Sequence, residues 1–578
     1  MTVPPLAGQR SPARQGARAS RPPLPVGWWL LLAAVAVAVL SPLLLLLWQS
    51  FLSNPFFAPV KQVGVSAYSQ VLTDPAFWRA FGNSAVLAAA MIFIAVPLGS
   101  VLAFLVTKTD LPFAKVFEVL LLTPIFVSPI VLGVGFIVSL GPSGFVSGLF
   151  TSLFHLTSTP WSVYTLPAIA LIAGLTHVPY VFLYVSTTMK NLDASLEEAA
   201  RLSGAGVWKV MTSVTLPLVR PALVYSAMLM LLLGFEIFGL PLVLGDSRGV
   251  DVITTYLYRL TAVTGVPAYG PMAVVAMILI LLALLIVFMQ RALTRQRGSY
   301  ASLGAKGYRA QRLKLGAWKW PLAALTILYL LYAVVTPMAG VLLRSLVRSW
   351  GPGVNLLDAL TGANYAAIFS TPDLSRSVVN TLIVALVGGG VAVAVYLLVA
   401  LGIQRAPRGV SRTLDYLAGL PRAVPGLIMG LALFWLFIFV PVLKPVRPTL
   451  ISIALAYMVV WLPYGVRLIT AALGQVSRDL EEAARIGGAT ATGAFLKATL
   501  PVLKPGLIAA WLLIFMQFVR EYSSAVYLLS PGTEVLGAQI VQLWGTGAVD
   551  SIAALSSLQI VIIVGVYSLA TRFGVRPE

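Results

Sequence analysis

"LEEAARLSGAGVWKVMTSVTLPLVRPAL", residues Leu196 to Leu223, nearly recurs as "LEEAARIGGATATGAFLKATLPVLKPGL", residues Leu480 to Leu507. The offset is 284 residues throughout, from Glu198 with Glu482 to Pro217 with Pro501. The same register extends upstream to Pro179-Tyr180 and Pro463-Tyr464, and 15 of the 47 positions in 177–223 and 461–507 are identical without a gap. So long a match at one register divides the chain into two related halves.

Both segments interrupt a very apolar chain. Of its 578 residues, 59% are hydrophobic and only 10% charged, against about 25% charged in soluble domains. One core cannot hide that much apolar surface, so lipid is the solvent for much of it. Apolar runs at about 28–48, 84–106, 116–139, 162–188, 222–244 and 270–290, then 320–343, 378–403, 416–440, 449–473, 507–529 and 552–573, are each long enough to span a hydrocarbon core of about 30 Å. The expected fold is all-α: about twelve transmembrane helices as two six-helix repeats. The domains read as a disordered basic tail over 1–24, a first half over 25–290, a basic linker over 291–319 and a second half over 320–578.

Charge sets the topology. Arg10, Arg14, Arg18 and Arg21 stand in the tail without an acid, and the linker is equally one-signed. Lysine and arginine outnumber those of the opposite loops by about three to one on the side of the N-terminus, which places both termini in the cytoplasm. An even number of spans per half keeps the halves in the same orientation, a parallel repeat with a pathway between them. The run Trp28 to Trp48 is too long for a cleavable signal and reads as a retained first span. The net charge of +20 follows from this distribution, so no nucleic-acid partner is expected. With no cysteine and only His155 and His177, far apart, thiolate, iron–sulfur and histidine-cluster metal sites are excluded.

Weaker echoes accompany the repeat: Asn83-Ser84 with Asn380-Thr381, and Pro124 and Pro129 with Pro421 and Pro425, the prolines expected as kinks within spans three and nine. Each quoted segment reads as two short helices on the cytoplasmic side. Ser195 with Glu198, and Asp479 with Glu482, fit capping boxes. Gly204 and Gly488 fit left-handed helix ends, and Pro217 and Pro501 mark the approach to the next span.

The pattern resembles the Glu-Ala-Ala loop of binding-protein-dependent ABC importer permeases. It matches at Glu198, Ala199, Ala200, Gly204, Val214, Leu216 and Pro217, and again at Glu482, Ala483, Ala484, Gly488, Leu500 and Pro501, with Ala498 replacing the aliphatic. The resemblance implies that each loop docks on a cytoplasmic ATPase, so two ATPase copies, carrying ATP and magnesium, would join one chain. It also implies a periplasmic substrate-binding protein and a multi-pass place in the bacterial inner membrane. The chain has no Gly-Lys dipeptide and hence no P-loop of its own. No catalytic residue, cofactor or resident metal is expected in it.

Among fused twelve-span permeases the style of the loops is most like the ferric-iron group, which makes ferric iron the expected cargo. Thiamine, polyamines and phosphonate are alternatives within the class, and an ion-coupled secondary carrier is one outside it. Glu236 and Glu521 lie well along spans five and eleven, where acids in equivalent places would suit a cationic cargo. The plainer readings place them near the outer headgroups, or opposite a cation such as Arg520. Glu118 and Arg467 are expected near the membrane boundary, and His177 in helix packing.

Overall fold

The computed structural model describes residues 26–192, 194–262, 267–295, 312–351, 353–477 and 479–572. The expected tail, 1–24, lies outside them, as does most of the linker. The described residues are almost wholly helical, with three isolated bridges and no strand.

Ten helices among them are long and apolar enough to cross a membrane, and two bent pairs raise the number to twelve. The helices of the two halves correspond closely. Pro75–Lys108 matches Pro372–Arg405, and the turn Thr123–Phe126 matches Leu420–Ala423, at an offset of 297. Leu166–Lys190 matches Leu450–Gly474, and the turn Met211–Thr215 matches Phe495–Thr499, at an offset of 284. The register changes between spans three and four, where the first half carries the α-helix Phe145–Leu153 and the second a shorter 3-10 stretch, Pro441–Val446.

The Asn-Ser echo has a matching structural role in both halves. Asn83 Nδ2 donates to Asp251 O at 2.7 Å, and Ser84 Oγ accepts from Ile253 N, the first residue of a short helix, at 2.9 Å. Asn380 Nδ2 donates to Glu534 O at 2.9 Å, and Thr381 Oγ1 accepts from Leu536 N, again a helix start, at 2.8 Å. Each pair pins the chain that returns after the fifth span of its own half.

The proline-bearing spans are broken rather than kinked. Pro124 and Pro421 each sit in a 3-10 turn, and the helices resume at Pro129 and Gly426. In the second half the two pieces meet at 108°. Two prolines four or five residues apart remove two N–H donors and leave no intact turn between them. Spans five and eleven also end earlier than hydropathy suggests, at Glu236 and Arg520, and begin earlier, in the repeated loops.

The halves interlock through their first helices. Val26–Ser50 packs on Gly426–Phe439 of the second half, and Thr336–Ser345 packs on Pro129–Leu140 of the first. Ser139 Oγ donates to Thr336 O at 2.8 Å. A Cβ on Gly135 would lie 2.3 Å from Pro337 O, so only glycine permits this approach.

What is described of the linker is tied down. Leu313 N donates to Lys108 O at 2.8 Å, Asp110 N donates to Leu313 O at 3.0 Å, and Leu315 N donates to Asp110 Oδ1 at 2.7 Å. The entry to the seventh span is thereby fixed beside the end of the second.

Candidate functional site

The repeated segments form matching loops at one end of the bundle. Helix Ala194–Leu202 ends at Gly204 with φ +82°, and helix Asp479–Ile486 ends at Gly488 with φ +91°. In the first loop Gly204 N donates to Arg201 O at 2.9 Å and Ala205 N to Ala200 O at 3.1 Å. In the second, Gly488 N donates to Arg485 O at 3.0 Å and Ala489 N to Ala484 O at 3.1 Å. These are paired Schellman bonds around a left-handed glycine. The N-terminal ends depart from the expected capping boxes. Ser195 lies inside the first helix, and at the second the Ser477 hydroxyl accepts the Asp479 N–H at 3.2 Å.

After each glycine a second helix widens into a π turn, Met211–Thr215 and Phe495–Thr499, immediately before Leu216-Pro217 and Leu500-Pro501. A proline displaces the ordinary hydrogen-bond ladder, and one wide turn accommodates the displacement. The routes then diverge. In the first half the helix axis turns by 73° at Val219, whereas Ala491–Arg520 runs on as a single span. Its 30 residues measure about 45 Å at 1.5 Å per residue, so the second loop is joined rigidly to Arg520.

The two glutamates of each loop divide the work. Glu197 is buried, with Oε1 3.1 Å from Lys108 Nζ and accepting from Thr215 Oγ1 at 3.1 Å. Glu481 repeats this, with Oε1 2.6 Å from Arg405 Nη2 and accepting from Thr499 Oγ1 at 2.9 Å. Lys108 and Arg405 are the equivalent last residues of spans two and eight. Each loop is thus clamped between the end of one span and the π turn that starts another. The sequence motif marks the neighbouring pair, Glu198 and Glu482. Their side of the helix is open: Glu198 is half-buried, and Glu482, Ala199 and Ala483 are exposed.

The open face also carries apolar side chains. Leu202 is 91% exposed and its counterpart Ile486 is 89% exposed, with the equivalent pair Leu196 and Leu480 partly exposed as well. Pro217 and Pro501 are exposed, and Ala200, Ala484, Leu216 and Leu500 are half-buried. Beside the second loop Arg405, Glu481, Glu482 and Arg485 line a groove of about 680 Å³. Twice, therefore, the fold presents a small apolar knob and a free glutamate on a rigid frame.

A second group of polar residues lies between the halves. Arg422, at the break in span nine, donates from Nη2 to the Tyr225 hydroxyl of the first half at 3.1 Å. Arg520 donates from Nη2 to the hydroxyl of Tyr180, near the middle of the fourth span, at 3.4 Å. Tyr184 and Tyr225 have ring centroids 4.8 Å apart, and His177 packs against Tyr180 with Nδ1 2.8 Å from Ala173 O, as its helix-packing reading requires. Arg520 Nη1 and Glu236 Oε1 are buried atoms with no hydrogen-bond partner among the described residues. Glu118 and Arg467 both find partners, Lys190 at 2.5 Å and Asp415 at 3.2 Å.

The expectation of equivalent acids needs correcting. Glu236 ends its helix as Arg520 ends the corresponding one, 284 residues later, so the symmetric partner of Glu236 is an arginine. Glu521 follows that helix and is bonded within its own half. Its Oε1 accepts from Ser523 Oγ at 2.8 Å and Ser524 N at 3.1 Å, and its Oε2 accepts from Trp461 Nε1 at 3.1 Å. Glu521 is a buried connector of spans ten and eleven. No group of three or more potential ligands for a metal ion occurs among the described residues.

The profile of a family described as "Binding-protein-dependent transport system inner membrane component" matches residues 95–298 and 397–576, more than half of the chain, and each stretch contains one loop. The ferric transport system permease protein FbpB of Actinobacillus pleuropneumoniae is 26% identical over 534 residues, covering 91% of this chain and 75% of that protein. The Fe(3+)-transport system permease protein FbpB 2 of Haemophilus influenzae is 23% identical over 484 residues, covering 83% and 87%. The molybdenum transport system permease protein ModB of Escherichia coli is 28% identical over 159 residues, covering 28% of this chain and 67% of ModB.

Proposed function

The chain belongs to the binding-protein-dependent transport system inner membrane component family, a multi-pass transport subunit of an importer, and from that premise we propose that it moves ferric iron inward, driven by ATP hydrolysed on a separate subunit. The observation that carries this reading is the duplicated loop: two equivalent exposed faces, each with a free glutamate and an apolar knob on a clamped frame. One ATPase copy docks on each face, and both faces lie in the cytoplasm with the two termini. ATP and magnesium stay on those partners. A periplasmic binding protein delivers the iron at the opposite end.

Closure of the two ATPases moves Glu198, Glu482 and their helices together. The clamps at Lys108–Glu197 and Arg405–Glu481 pass the motion to spans two and eight, and the π turns pass it to spans five and eleven. The gap between the halves then opens to one side at a time. Support for iron is the pair of ferric relatives matched over most of this chain.

The test is uptake of labelled ferric iron by cells with the gene intact, deleted, or carrying Glu198→Ala with Glu482→Ala, other iron systems being silenced. Loss of uptake in both altered strains, with normal membrane levels of the variant, is expected. Unchanged uptake in the deletion strain contradicts the iron assignment.

A further inference from the structure

We propose that the gap between the halves is a cation-lined passage for a cargo that presents anionic oxygens: a free oxyanion, or ferric iron wrapped in oxyanion ligands, and not a bare metal cation. The proposal deepens the importer reading and rests on it.

The argument starts from what each half contributes. The first supplies Tyr180, Tyr225 and Glu236, and the second supplies Arg422 and Arg520. Both arginine contacts cross from one half to the other, which lipid-facing side chains would not do. Arg422 is exposed and the other four residues are half-buried, with Arg520 Nη1 and Glu236 Oε1 themselves buried, so the group is open to solvent on the Arg422 side. Glu236 feels the charge of Arg422, yet no ion pair joins it to either arginine.

Ionisable groups within a membrane bundle are costly and face a cavity or a partner. Here two guanidiniums have two carboxylates within reach, Glu236 and Glu521, and Glu521 is already taken up by Ser523, Ser524 and Trp461 of its own half. The hydrogen-bond partners of the guanidiniums are phenol hydroxyls, and Arg520 Nη1 has no partner among the described residues. A trivalent cation entering this gap meets two guanidiniums and a single carboxylate, Glu236, that is not already bonded within its own half. Oxygen anions meet the reverse, with forked N–H donors suited to two oxygens at once and phenol hydroxyls able to donate beside them. Arg520 also closes the continuous span that starts in the second loop, so its position follows the docking face.

The experiment measures uptake in the deletion strain complemented with the wild-type chain, Arg520→Gln, Arg422→Gln or Glu236→Gln. Membrane abundance and ATPase co-purification are recorded for each. Separate arms supply labelled ferric iron with citrate or phosphate, labelled sulfate, and labelled molybdate. Arg520→Gln and Arg422→Gln are expected to lower uptake of the transported label at least tenfold, and Glu236→Gln to raise it about twofold. Transport of label only in the iron arms identifies the wrapped metal, and transport of sulfate or molybdate identifies the free anion. Uptake that survives both arginine changes and falls in Glu236→Gln overturns the proposal while leaving the importer reading intact. Absence of any chain-dependent uptake in every arm removes both.

Discussion

Glu197 Oε1 sits 3.1 Å from Lys108 Nζ, both side chains less than a tenth exposed, where a loop meets the end of the second span. The symmetric pair, Glu481 and Arg405, is 2.6 Å apart but about a quarter to a third exposed. One clamp is buried and its twin is wet.

That difference sets the first prediction. Removing one partner of a buried ion pair strands the other, at a cost of about 3–5 kcal/mol. Glu197→Gln or Lys108→Met should therefore lower the thermal midpoint of the detergent-purified protein clearly, and combining Lys108→Met with Glu197→Leu should recover much of the loss. Additive losses in the double variant would contradict the pairing.

For the exposed clamp the scale is smaller, about 0–1 kcal/mol. Glu481→Gln should leave the thermal midpoint within about a degree or two while slowing uptake. A drop as large as that of Glu197→Gln would show that exposure does not govern these pairs.

The helix-ending glycines give a third prediction. A Cβ at Gly204 or Gly488 would meet nothing within 4 Å, so the cost of alanine is that of the left-handed backbone alone, about 1–2 kcal/mol. Asparagine, which enters that region more readily, should cost less than alanine at both positions. Equal effects of alanine and asparagine on thermal stability would exclude φ as the cause.

Gly135 tests the interlock of the halves. With a Cβ placed 2.3 Å from the Pro337 carbonyl oxygen, the backbone of one helix must retreat. Gly135→Val should reduce the yield of folded protein several-fold, and Gly135→Ala less. Wild-type yield and stability for the valine variant would mean that the third and seventh spans do not meet as described.

Much of this was legible beforehand. The duplication, the all-helical membrane architecture and the left-handed glycines followed from the spacing of Glu198, Gly204 and Pro217 and its recurrence. The breaks at Pro129 and Pro425 were not, because hydropathy reports contact with lipid and is indifferent to the direction of a helix. The clamp glutamates are not marked in the sequence, because adjacent residues on a helix point about 100° apart and the spacing is the same whichever of the two faces inward. Identity of Thr215 with Thr499, together with a basic residue ending both equivalent spans, was the available signal. Glu521 stands one residue past the equivalent of Glu236, and the common offset of 284 already places Arg520 opposite that glutamate.

The claim that both loops are docking faces is tested most directly by chemistry the chain already permits. It contains no cysteine, so Leu202→Cys and Ile486→Cys each introduce a single thiol at a position about nine-tenths exposed. Maleimide labelling of each variant is measured in membranes with and without the ATPase subunit. The account predicts rapid labelling of both thiols without the ATPase and protection of both, at least tenfold, when it is bound. Equal labelling rates at both positions in its presence and absence would contradict it.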